Sequence, residues 1–173
     1  CVPTSAANIT LPTTDTCGDD LQLRSRMSAT GCVAILEGCG DLATRWDALG
    51  AQGNFVMVDP SANQGQQNDV PNGTALRPYS TLARALIDVA ADETKDSVGL
   101  ATGNFSSNGA GLNVAELPDG LHIEGVCWAS TLLTGTWPLA RDVSFRHVTF
   151  TNPNDRPITV DGANVTFESV LVE

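Results

Sequence analysis

Leu121-His-Ile-Glu-Gly-Val-Cys-Trp128, Val143-Ser-Phe-Arg-His-Val-Thr-Phe150 and Val165-Thr-Phe-Glu-Ser-Val-Leu-Val172 recur at a constant offset of 22 residues. Counting the first residue of each as position 0, apolar side chains fall at positions 0, 2, 5 and 7 in all three. They are Leu121, Ile123, Val126 and Trp128, then Val143, Phe145, Val148 and Phe150, then Val165, Phe167, Val170 and Val172. A weaker copy lies 23 residues upstream, with Val98, Leu100, Gly103 and Phe105. Positions 0 and 2 alternate as in a strand, as do 5 and 7, so each pair points to one side. The step between the pairs breaks the alternation and calls for a bend, at Gly125, His147 and Ser169. No such unit buries its apolar row alone, so neighbours must stack in register. The expected fold is all-β, a parallel β-helix of about four coils of roughly 22 residues. An antiparallel sandwich would need tight hairpins, and no Asn-Gly or Asp-Gly turn joins these strands.

The outward positions carry a second regularity. Position 3 reads Glu124, Arg146, Glu168, and position 1 reads His122, Ser144, Thr166. Stacked strands lie about 4.8 Å apart, so a column of alternating sign is favourable where three like charges would repel. Position 6 reads Asn104, Cys127, Thr149, Leu171, which turns Asn104 outward and leaves Cys127 partly exposed. The stack reaches Glu173 with no terminal helix or polar cap, so further chain or another subunit is expected to cover its last apolar row.

The 173 residues amount to 18.1 kDa, enough for one compact domain and a small appendage. With 42% hydrophobic and 17% charged residues the chain is too apolar to be disordered. A net charge of -11 and a pI near 4.3 exclude a basic face for nucleic acid or an anionic membrane. No run of 18 apolar residues exists, so no transmembrane segment is expected.

Three regions follow: a Cys-rich arm or cap over 1–52, a leading strand, loop and amphipathic helix over 53–96, and the coils over 97–173. In the middle region Tyr79, Leu82, Leu86 and Val89 or Ala90 share one helical face, with Ser80 as N-cap. In the first, Trp46 and Leu49 are placed to pack onto the end of the stack. Four of the five cysteines crowd into the first 39 residues at no zinc-site spacing. Disulfides of an exported protein are the expectation, involving Cys1, Cys17, Cys32 and Cys39. Cys32 with Cys39 and Cys1 with Cys17 would close short loops, and Cys127 is then the odd one out; the spacing does not fix the pairing. Acceptor triplets for N-glycosylation stand at Asn8, Asn72, Asn104 and Asn164, about twice the number expected by chance.

The stretch Phe55-Val-Met-Val-Asp-Pro60, then Asn72-Gly-Thr, Arg77-Pro-Tyr and Thr81-Leu with the helix after it, resembles the opening of right-handed parallel β-helix proteins of the pectin-lyase-like superfamily. Asp96-Ser-Val-Gly-Leu-Ala-Thr-Gly103, Leu121-His-Ile-Glu-Gly125 and Ser130-Thr-Leu-Leu-Thr-Gly135 are similar to its coil phrases. The resemblance spans residues 53 to 173 and implies a right-handed coil stack with the helix as its N-terminal cap. It implies no single activity, because the superfamily includes lyases, hydrolases, viral spikes and structural stalks.

An enzyme of that superfamily would work from outward positions of one sheet face, where Glu124, Arg146 and Glu168 are the candidate catalytic set. The two carboxylates would be about 9.6 Å apart, two strand spacings. Arg146 between them is expected to hold both ionised and deprive the pair of an acid. The Asp-Asp pair and Gly-His-Gly strand of the hydrolase branch are missing from the coils. No P-loop, HExxH motif or Ser-His-Asp set is recognisable, and neither a metal nor a cofactor is expected.

The sequence therefore points to a secreted, N-glycosylated, non-enzymatic structural protein that assembles with copies of itself or other subunits into a filament, surface coat or virion shell. The alternatives are a carbohydrate-active lyase or hydrolase on the same fold, or a carbohydrate-binding adhesin. The adhesin reading has only Trp137 and Tyr79 as free aromatics, since Trp128 and Phe150 fall inward by the repeat.

Overall fold

The structure, a computed structural model, describes residues 27–28, 31–32, 39, 41–62, 70–109, 113, 117–153 and 156–173. Its contacts divide the chain into Cys1–Glu37 and Gly38–Glu173. In the first unit the described residues form an antiparallel pair, β1 (Met27–Ser28) with β2 (Gly31–Cys32). Cys1, Cys17 and Asn8 lie outside the described residues.

The second unit is mostly strand. It runs α1 (Leu42–Ala51), β3 (Phe55–Val58), α2 (Leu82–Ala91), β4 (Ser97–Leu100), β5 (Gly103–Ser106), β6 (Leu121–Gly125), β7 (Thr131–Thr134) and β8 (Trp137–Leu139). Then come β9 (Val143–Arg146), β10 (Thr149–Thr151), β11 (Ile158–Val160), β12 (Val165–Glu168) and β13 (Leu171–Val172). These make a five-stranded sheet β12-β9-β6-β4-β3, a four-stranded sheet β13-β10-β7-β5 and the pair β11-β8. Every pairing among them is parallel, so the strands join through crossovers and not hairpins. From β6 onward the chain visits the three sheets in rotation, and one such passage is called a circuit below.

The 22-residue offset is the pairing register of the later strands. Leu121 stands beside Val143 and Val143 beside Val165, Ile123 beside Phe145 and Phe145 beside Phe167, and Phe150 beside Val172. Upstream the repeat-based alignment needs correction. Val98 pairs with Ile123 and not Leu121, and Phe105 pairs with Leu133, so β7 takes the place expected for Cys127-Trp128. For β7 the physical reason is a turn inserted after β6, in which Ser130 N and Thr131 N both donate to Cys127 O. Leu133 is thereby buried in the core row, and Trp128 lies half-buried outside it with its carbonyl accepting from Thr149 Oγ1 at 2.6 Å.

Inside the sheets the burial of β6 and β9 alternates as the repeat requires, with Leu121, Ile123, Val143 and Phe145 in the core. Trp137, Phe145 and Phe150 contribute one ring from each sheet. They meet edge to face at centroid distances of 4.9 to 6.4 Å. Trp137 is fully buried, as is Tyr79 apart from its hydroxyl bond to Asp88, so neither is the free aromatic that the adhesin alternative requires.

Helix α2 buries Leu82, Ala85, Leu86 and Val89 on one face, and its N-cap is Thr81, one residue later than expected, whose hydroxyl accepts from Arg84 N. Ala90 falls outside the buried face. Helix α1 begins at Asp41, which accepts from Ala43 N and Thr44 Oγ1. Its Leu49 and Trp46 join Met57, Val126 and Cys127 in a small second core on the outside of the five-stranded sheet. Residues 38–52 thus belong to the same compact unit as the sheets.

The three-ring contact makes a testable claim. Phe145→Ala should cost about 3–5 kcal/mol, read as a lowered urea midpoint. Phe167→Ala, at a side chain already 37% exposed, should cost no more than about 1 kcal/mol. Equal losses would show that the core is not centred on these rings.

Candidate functional site

Two outward columns run across the five-stranded sheet. One stacks Phe55, Ser97, His122, Ser144 and Thr166; the other stacks Met57, Gly99, Glu124, Arg146 and Glu168. Helix α1 covers the β3 side of this face, and Met57 fills the space above Gly99, whose added Cβ would come within 2.7 Å of Met57 Sδ. The polar β6–β9–β12 side is open.

The three candidate catalytic residues come together as their spacing implied. Arg146 Nη2 lies 3.0 Å from Glu168 Oε1, and Nη1 lies 4.0 Å from Glu124 Oε2. The Glu168 side chain is 60% exposed and Arg146 48%, so each ion pair contributes no more than about 1 kcal/mol. A glycosidase acid must stay protonated, which requires apolar burial and no cation beside it. Here one guanidinium sits between both carboxylates, which is the arrangement of a charge ladder.

Sequence reasoning missed two contacts. His147 is buried at 3% exposure, and its Nδ1 meets Glu124 Oε1 at 3.2 Å. It stands at the bend with φ of 53°, matched by Ser169 at 52°, so the bend positions do adopt the left-handed conformation in the last two circuits. The bend itself was visible as a break in alternation; that its side chain folds back onto Glu124 was not. Secondly, His122 Nδ1 contacts Ser144 Oγ across neighbouring strands. The adjacent Asp96 is held by Ser97 Oγ at 2.6 Å and Asn54 Nδ2 at 2.5 Å. The Ser97 hydroxyl, then the Asn54 amide and His122, lower its pKa. Asp96 is committed to these partners and makes no hydrogen bond to the His122 ring among the described residues.

A third feature orders the starts of β6, β9 and β12. Asp119 Oδ1 accepts from Asp142 N at 3.0 Å, and Asp142 Oδ1 accepts from Asn164 N at 2.8 Å. Asn164 Nδ2 also donates to both Asp142 oxygens. The backbone N–H of Asn164, followed by its side chain, holds the Asp142 carboxyl below its ordinary value. Of the other acceptor triplets, Asn72 is exposed in a turn where its Oδ1 accepts from Thr74 Oγ1, and Asn104 is exposed on the outer side of β5.

Cys39 is bridged to Cys127, with Cα atoms 5.0 Å apart. This replaces the Cys32–Cys39 loop, and Cys127 is not the odd thiol. It is also buried, at 3%, and not partly exposed. The reason is the turn after β6, which lifts Cys127 out of the stacked column and toward α1. The bond spans 88 residues and ties the chain just before α1 to the outer face. Among the described residues no cluster of three metal-ligating side chains forms, and no helix is long and apolar enough to cross a membrane. Comparison with protein-family models, curated proteins and solved structures finds no match to this chain.

Two predictions test this geometry. Replacing both Cys39 and Cys127 by Ser should lower stability by about 2–4 kcal/mol, seen as loss of the difference between reducing and oxidising thermal scans. An unchanged midpoint would mean the bond is not formed. A carboxyl lowered on folding, as at Asp142, adds stability above its unfolded value and loses it as pH falls through the folded one. Asp142→Asn keeps the acceptor oxygen and removes the titration, so its stability should fall less between about pH 5 and about pH 2. Parallel acid limbs for variant and parent would contradict that role.

Proposed function

We propose that the chain is a subunit of an extracellular structural assembly: a secreted, N-glycosylated, non-enzymatic right-handed parallel β-helix of the pectin-lyase-like kind. Support for the β-helix comes from the rotation through three parallel sheets and the constant 22-residue register of β6, β9 and β12. Support for a structural role comes from the outward column, whose charges neutralise one another across circuits. The observation that carries assembly is the last circuit. Its core-side Phe167 and Val172, with Val160, are 37%, 53% and 49% exposed, and β12 and β13 are edge strands. An apolar row beside unpaired backbone is a template for further strands, whether of this chain or of another subunit. Exposed Asn72, Asn104 and Asn164 can carry glycans without displacing core side chains.

A second reading, a carbohydrate-active enzyme, is favoured only by the presence of Glu124 and Glu168 in one outward column. The two readings separate in one preparation of the protein secreted from a eukaryotic host. The structural reading expects a mass above the bare chain that glycosidase removes, oligomers at micromolar concentration, and no cleavage of neutral or acidic polysaccharides. Unmodified, strictly monomeric protein whose polysaccharide cleavage is abolished by Glu124→Gln or Glu168→Gln would establish the enzyme instead.

A further inference from the structure

The two helices of the second unit are held in different ways. Helix α2 sinks four side chains, Leu82, Ala85, Leu86 and Val89, into the core that the sheets enclose. Helix α1 buries one, Leu49; Trp46 is half-buried, and Leu42, Ala43, Thr44, Asp47 and Ala48 are exposed. The Trp46 indole N–H donates to Ala75 O at a long 3.3 Å. Beyond its Asp41 cap, α1 has no acid in its first turn and no base in its last, so its dipole goes unanswered at the C-terminal end. Its 10 residues fall short of the length at which an isolated helix becomes even marginally stable.

What α1 lacks in packing is supplied covalently. Cys39 lies two residues before the Asp41 cap, and its bond to Cys127 pins that end of the helix to the outer face of the five-stranded sheet. At the other end the chain runs through Gln52 and Gly53 into β3, and it is fixed again at Asn54, whose amide donates to Asp96 Oδ1 at 2.5 Å and Ser97 Oγ at 3.2 Å. With the bond broken, one buried leucine and one half-buried tryptophan must offset the entropy of ordering the whole segment.

We propose that the Cys39–Cys127 bond is a redox latch: its reduction releases residues 38–53 from the sheet, while α2 and the parallel strands stay folded. This goes beyond the assembly reading and does not depend on it. A dithiol reductant supplies the two electrons and two protons. Its thiolate attacks Cys39 Sγ, because Cys39 is half-buried and Cys127 is only 3% exposed. The Sγ–Sγ bond breaks with Cys127 leaving as thiolate, and the second thiol of the reductant closes on the mixed disulfide. The products are two protein thiols and the oxidised, cyclic reductant. Release uncovers Met57 and Val126, both buried beneath α1, next to half-buried Phe55. The latch thus keeps an apolar patch of the sheet's outer face out of water.

Hydrogen exchange of the full chain, read by mass spectrometry, is the test. In a dithiol reductant the amides of α1 should exchange about tenfold faster or more than with the bond intact, and those of α2, β6 and β9 should not change. Cys39→Ala combined with Cys127→Ala should give the same pattern without reductant, which separates this bond from any other that the reductant opens. Equal exchange of α1 in oxidised and reduced protein would overturn the latch. Loss of protection in α2 and the strands together with α1, in either preparation, would make the bond a clamp on the whole unit and overturn it as well. So would Cys39 and Cys127 thiols that alkylate before any reductant is added, or a reductant effect that the double variant does not reproduce.

Discussion

A parallel strand receives none of its ladder hydrogen bonds from its immediate chain neighbours. In the second unit every strand is of this kind, so its ladder partners lie in neighbouring circuits, on both sides for β4, β6, β7, β9 and β10 and on one side for the edge strands. That dependence sets the rest. Stacking at about 4.8 Å puts equivalent residues in columns, so a side chain is judged by what lies above and below it in the column. Inward columns must be apolar and of matching size, as where Phe145 stacks on Phe167 with planes 15° apart. Outward columns must avoid repeated charge of one sign, which the sequence Glu124, Arg146, Glu168 does.

The same dependence makes the connections between strands exacting. A bend has to return the chain to register within one or two residues, and steric room there is small. A Cβ on Gly125 would lie 2.5 Å from His147 O and 2.9 Å from Thr131 Cβ, so the close approach of successive bends requires glycine at that point. His147 and Ser169 meet the constraint differently, by adopting positive φ, at a cost of order 1 kcal/mol each. At the strand starts the Asp119–Asp142–Asn164 ladder performs the matching task, passing a backbone N–H to an Asx oxygen once per circuit.

Much of this was legible in the sequence because register is periodic. The first halves of the three copies that share an offset of 22 paired as aligned, as did the second halves of the last two, and the alternating charge column came with them. What was not legible is what breaks the period. The extra residues after β6 moved Cys127 and Trp128 out of the column their spacing assigned, and with them went the expected disulfide and the expected inward tryptophan. Trp137 was misplaced for a related reason. It belongs to β8, in a third sheet whose strands carry no recognisable copy of the repeat, so only three-dimensional packing reveals it as core. The weak first copy has no single offset: Val98 pairs with Ile123 but Gly103 with Thr131, so a constant spacing of 23 matches neither strand pair.

The candidate site shows which side chains the stacking rule brings together. Two carboxylates on one outward column, with His122 and His147 nearby, satisfy a residue-type search for acid–base chemistry. Each has a partner that the stack itself supplies: Arg146 for both glutamates, Ser144 for His122, and Glu124 for His147. Chemistry would require one of these groups to be withheld from its neighbours and aimed at an open space. The last circuit differs in this respect, because its inward row and its edge backbone are presented to the outside with the same geometry that the interior circuits use on one another. Phe167 and Val172, inward by the repeat, are accordingly 37% and 53% exposed, where their counterparts Phe145 and Phe150 one circuit earlier are buried.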